Sequence, residues 1–180
     1  MTALPEIDIS GWHAIAQKIA SPNFDARPAG RPVDLIVIHA ISLPPGHFGG
    51  DGVEQLFTNT LDPCAHPYYS QIQDLRVSAH FFIRRDGHLM QFVSCHDRAW
   101  HAGVSRWMGR ERCNDFSIGI ELEGDDLSMF EDAQYHALNK LIACLRHAFP
   151  IFDVVGHSDI APGRKTDPGP CFDWQCIAQT

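Results

Sequence analysis

The chain has 180 residues, 44% of them hydrophobic and 20% charged, with a formal net charge of −8. Such a chain is expected to fold as one soluble globular domain with a sizeable core. The acidic balance argues against a nucleic-acid footprint, and no apolar run reaches the length of a membrane span. The opening stretch MTALPEIDIS lacks a basic region followed by an apolar one, so no export signal is expected and the location expected is the cytoplasm. Six scattered cysteines (64, 95, 113, 144, 171 and 176) form no CxxC pair and are expected as reduced thiols.

In chain order, DLIVIHA (34–40) is a short apolar run led by β-branched residues and reads as a buried strand. The stretch 42–70 is rich in Pro, Gly and Asp, which predicts long irregular connections of the kind that border sites, with a helix over GVEQLFTN (52–59). SAHFFIRRDGHLMQFV (78–93) holds two strand-like runs around Arg-Asp-Gly and predicts a hairpin. FSIGIELEG (116–124) alternates Ile118, Ile120 and Leu122 with Gly119, Glu121 and Glu123, the pattern of a half-buried strand. EDAQYHALNKLIACLRHAF (131–149) repeats apolar residues with a helical period; Ser128 or Glu131 can cap it and Pro150 stops it. FDVVGH (152–157) is a short strand running into the stiff loop GHSDIAPGRKTDPGP (156–170). These elements predict a single α/β domain over 1–180, core about 21–175, built on a central mixed β-sheet flanked by α-helices.

His39 and His157 each close an apolar strand, and strand ends in an α/β sheet converge on the ligand crevice. Two such histidines could share a zinc ion, which in hydrolases takes three protein ligands and an open position. Asp167, on the proline-stiffened loop, is a candidate third ligand, with Asp159 as a competitor that could instead cap the local turn. Each residue also has a plainer reading, since a lone histidine at a strand end is more often a satisfied polar group. His80 reads as a buried structural histidine and His101, beside Trp100, as part of a pocket wall. His13, His47, His88, His96, His136 and His147 are expected in solvent.

A zinc site of this kind lowers the pKa of water to about 7 and needs a base to take the proton. Glu121 and Glu123 share the right strand face, and the pattern does not separate them. Lys165, two residues before Asp167, is placed to offset the charge of an oxyanion, or is an ordinary exposed lysine.

Three blocks go further. VSAHFFIRRDGHLMQFVSCHDRAWHAGVS (77–105), GRERCNDFSIGIELEG (109–124) and GHSDIAPGRKTDPGP (156–170) closely resemble the cytoplasmic 1,6-anhydro-N-acetylmuramoyl-L-alanine amidases. These are zinc amidases that share a fold with peptidoglycan recognition proteins. The resemblance runs from SPNFDARP (21–28) to FDW (172–174). It implies one Zn2+ per chain held by His39, His157 and Asp167, Glu121 as the base and Lys165 as the oxyanion stabiliser. It also implies an anhydromuropeptide substrate, cleaved between the lactyl group of muramic acid and L-alanine during wall recycling. Arg76 and Arg112 are the implied contacts to stem-peptide carboxylates, which suit bidentate guanidinium, with Arg106 and Arg110 as runners-up. Trp100 would pack on the apolar face of the sugar, with His101 as a further substrate contact and Gly103 letting the ligand approach. A monomer, with no nucleic-acid or membrane partner, is expected.

One departure stands out. Where the family usually reads HNISLPPG, this chain reads HAISLPPG, so Ala40 lacks the amide that would meet the substrate peptide. Two other readings are a binding module on the same fold without catalysis, and an amidase for non-anhydro muropeptides. The first is disfavoured because all three ligand positions occur together with Glu121 and Lys165.

Overall fold

The computed structural model describes residues 6–178. A six-stranded mixed sheet forms its centre, in the spatial order β1-β5-β4-β9-β3-β10. The strands are β1 (Gln17–Lys18), β3 (Leu35–Ile41), β4 (Phe81–Ile83), β5 (Leu89–Gln91), β9 (Ser117–Glu123) and β10 (Asp153–Gly156). Only β4 and β5, joined by the expected hairpin turn, run antiparallel; the other neighbours are parallel. Two small ribbons stand outside the sheet: β2 (Phe24–Ala26) with β6 (Asp97–Ala99), and β7 (Arg106–Trp107) with β8 (Arg110–Glu111).

Helix α3 (Asp132–Ala148) covers one face. Its Leu138, Leu141, Ile142 and Leu145 pack on Ile36, Ile38, Ile118, Ile120 and Leu122. Glu131 is its cap, in a capping box with Gln134, and Phe149 before Pro150 is already extended. The other face is covered by α1 (Gly52–Phe57), α2 (Pro67–Ile72), the short helix α4 (His157–Ile160) and the chain around Ala102–Phe116. The helix expected at 52–59 ends at Phe57. Helix α2 was not anticipated, although Pro67 occupies its first turn and His66 Nδ1 accepts the Tyr68 N–H.

Three expectations are corrected. Strand β9 is buried along its whole length, not on one face: it is central, with α3 on one side and the site-bearing loops on the other. His13 is buried (6% exposed), because it pairs with Ile7 as a β-bridge and its backbone N–H donates to Gln91 Oε1. The stretch after β10 opens as the helical turn α4 before the loop proper begins. Among the described residues no cysteine is in a disulfide.

Parallel pairing fixes what meets at the crevice. His39 on β3 lies opposite Glu121 on β9, which lies opposite Phe82 on β4. Paired residues in parallel strands share a face. His157 begins where β10 ends, beside β3, so both histidines and Glu121 reach the C-terminal edge of the parallel strands.

Candidate metal centre

His39, His157 and Asp167 converge with the geometry of a ligand set. His39 Nδ1 lies 3.0 Å from His157 Nδ1 and 3.1 Å from Asp167 Oδ2, and His157 Nδ1 lies 3.0 Å from the same oxygen. A tetrahedral zinc with bonds of about 2.0 Å spaces its ligand atoms about 3.3 Å apart, so one ion can touch all three atoms after a small outward adjustment. Two neutral nitrogens and one carboxylate are the donors zinc takes in hydrolytic sites. His157 Nε2–H donates to the Ala102 carbonyl at 3.1 Å, which fixes Nδ1 as the bare nitrogen facing the other two donors.

Electrostatics keep protons off His39 and Asp167 near neutral pH. Burial, opposed by the hydrogen bond to Asp167, lowers the pKa of His39 to about 4. Burial would raise the Asp167 carboxyl, but the close imidazoles of His157 and His39, 3.0 and 3.1 Å from its Oδ2, outweigh it and hold it well below the usual carboxylate range.

Glu121 sits at the edge of the set, Oε1 4.0 Å from His39 Nδ1. It is 8% exposed, and its Oε2 is buried without a hydrogen-bond partner. Burial, and then the charge of Asp167, push its pKa well up, against the pull of Lys165. Glu123 lies in a different environment: its two oxygens accept from the backbone N–H groups of Gly49 (2.5 Å) and Arg85 (3.1 Å). Asp159 is likewise occupied, accepting from Gly156 N–H at 2.7 Å. Only Glu121 of the two strand acids, and Asp167 of the two loop acids, faces the centre.

The centre opens into a cleft of about 730 Å³. Its walls include Trp100, His101, Lys165, Leu75, Val77 and Leu127, so a polar floor meets apolar sides. His101 has both ring nitrogens engaged with protein atoms, His39 Nε2 at 2.9 Å and Ser117 Oγ at 3.2 Å. Arg76 and Arg112 do not line this cleft. Arg76 is exposed and its Nη1 donates to the carbonyls of Gln73 and Leu75; Arg112 is exposed and pairs with Asp115 at 3.4 Å. Arg110 pairs with Asp34 and Arg106 is exposed. Ala40 borders the cleft and packs partly against the core under α3.

Three supporting residues carry no sequence signal. Arg27 runs beneath the sheet edge and donates to the carbonyls of Cys95 (3.3 Å), Asn114 (3.1 Å) and Ser117 (2.9 Å). Burial lowers its pKa to about 10, so it stays charged. Arg164 donates at 2.8 Å to Ala102 O, the carbonyl that orients His157. Asp126 accepts from Thr166 Oγ1 at 2.8 Å and so ties down the loop beside Asp167. Arg27→Met strands three carbonyls, and a loss of about 3 kcal/mol is expected. For a chain of this size that is a Tm lower by about 6–12 °C, read by thermal unfolding. An unchanged Tm would remove Arg27 from the scaffold of the site.

Comparison with known proteins gives these features a family. The family model described as N-acetylmuramoyl-L-alanine amidase matches residues 29–170. The chain is 55% identical over 166 residues to the 1,6-anhydro-N-acetylmuramyl-L-alanine amidase AmpD of Escherichia coli K12, covering 91% of each chain. A crystal structure of a selenomethionine AmpD derivative superposes with a TM-score of 0.91 at 54% identity, covering 93% of this chain and 95% of that one. The Escherichia coli amidase AmiD, in complex with anhydro-N-acetylmuramic acid-L-Ala-D-γ-Glu-L-Lys, superposes with a TM-score of 0.59 at 30% identity, covering 94% of this chain and 63% of that one. A match over most of its length, carrying the convergent His39, His157 and Asp167, makes this chain a member of the N-acetylmuramoyl-L-alanine amidase family.

Proposed function

We propose that the protein is a zinc-dependent amidase that hydrolyses the bond between the lactyl group of 1,6-anhydro-N-acetylmuramic acid and L-alanine of the stem peptide. The observation that carries this reading is the triangle of His39, His157 and Asp167 with the unpartnered Glu121 oxygen beside it. A zinc ion held by those three residues supplies Lewis acidity, polarising the amide carbonyl and lowering the pKa of water to about 7.

The chain supplies the rest. Glu121 takes the proton of the attacking water on its carboxylate and returns it to the departing alanine nitrogen, leaving a lactyl carboxylate and a free amino group. Its raised pKa suits both halves of that transfer. Lys165, on the cleft wall, offsets the negative charge that grows on the carbonyl oxygen. Trp100 offers an apolar face to the sugar. Arg76 and Arg112, both exposed and outside the cleft wall, are proposed contacts for carboxylates at the far end of the stem peptide. A monomer is proposed, and the reaction is assigned to cytoplasmic wall recycling.

Peptide release from matched anhydro and non-anhydro muropeptides, followed by mass spectrometry, tests the substrate. Faster release from the anhydro form is expected. Equal rates would remove the anhydro preference, and no release from either would remove the amidase reading.

A further inference from the structure

Behind His39 a chain of hydrogen bonds runs through His101 and Ser117 to a backbone carbonyl. We propose that His101 is a positioning residue, not a substrate contact: together with Ser117 it holds the proton of His39 on Nε2 and so keeps Nδ1 bare for the metal. This rests on the proposed role of His39 as a zinc ligand.

The direction of the chain follows from its far end. Ser117 Oγ lies 2.6 Å from the Cys113 carbonyl oxygen, which can only accept, so the hydroxyl proton points there. The same Oγ lies 3.2 Å from His101 Nε2. With its single proton committed, the hydroxyl accepts, and His101 carries its own proton on Nε2. His101 Nδ1 is then a lone pair, 2.9 Å from His39 Nε2. His39 must donate across that gap. Its proton therefore sits on Nε2, and Nδ1 faces His157 and Asp167 unprotonated. The other tautomer of His39 would set two lone pairs against each other in a buried site and put a hydrogen among the metal donors.

The packing is built for this contact. A Cβ at position 119 would lie 2.5 Å from His101 Cγ, so Gly119 is what lets the ring lie against the central strand. The rings of His39 and His101 meet edge to face, centroids 5.0 Å apart at 88°. His101 borders the cleft, yet neither of its nitrogens is left for a ligand. The two ligand histidines are thus oriented by different devices, His157 by the Ala102 carbonyl and His39 by this relay.

Zinc affinity measured by chelator competition, with 15N NMR of the imidazoles in the zinc-free protein, tests the relay. The chains compared are the wild type, His101→Leu, His101→Asn and Ser117→Ala. Loss of an outer partner of this kind typically costs about 10–100-fold in metal affinity, and that loss is expected for His101→Leu. The His39 signals should change from a single Nε2–H tautomer to a mixture. His101→Asn places an amide oxygen near the position of Nδ1 and should recover most of the affinity and the single tautomer, which a merely space-filling role would not do. Ser117→Ala should shift both readouts in the direction of the Leu variant. If His101→Leu fails to fold, the Asn and Ala variants carry the test between them. Unchanged affinity and tautomer in these variants, with wild type binding zinc normally, would overturn the relay and leave the metal site standing. A wild type that binds no zinc would overturn both.

Discussion

Glu121→Gln is expected to retain zinc and to lower kcat by about 10²–10⁴-fold, the range that removal of a general acid–base typically costs. Glutamine keeps the shape and the buried position but cannot take a proton. The effect should fall on kcat more than on KM, because the carboxylate acts on the water rather than on substrate binding. The environment argues for this residue over its neighbour on the strand. Glu121 Oε2 has no hydrogen-bond partner, and burial with the charge of Asp167 raises its pKa. Glu123 spends both oxygens on Gly49 and Arg85. A near-normal kcat in Glu121→Gln, read with metal content confirmed, would remove Glu121 as the base.

Removing zinc should abolish turnover and also lower stability. The second effect follows from linkage: an ion that binds only the folded chain stabilises it by about 4 kcal/mol when present at 1,000 times its Kd. For this size of chain that corresponds to a Tm higher by about 8–16 °C in the zinc-loaded protein. The site is prepared to bind at neutral pH. The pKa of His39 is lowered to about 4 and that of Asp167 lies below the usual range, so protons compete for these two donors only in acid. Protonation of His39 is therefore expected to weaken zinc binding as the pH falls toward 4.

The sequence carried the frame of this site more clearly than its fittings. His39 and His157 were legible because they follow short β-branched runs in a parallel sheet, although neither closes its strand: β3 continues past His39 to Ile41, and β10 stops at Gly156, so that His157 opens α4. Asp167 and Glu121 were not separable from Asp159 and Glu123 by spacing alone; the resemblance chose between them. In the fold the rejected acids are the ones already consumed by backbone N–H groups. Burial on both faces of β9 was missed because Gly119, Glu121 and Glu123 look like a solvent face, whereas they border His101, the metal set and the Gly49 loop. Arg27, Arg164 and Asp126 had no pattern to give them away. Each acts on backbone or side-chain groups that only the tertiary fold brings near.

Stepwise return of zinc to metal-stripped protein, with peptide release from an anhydromuropeptide followed at each step, tests the central claim most directly. Activity should be absent at the start, rise with added zinc and level off at one ion per chain. Full activity in the stripped protein would contradict it.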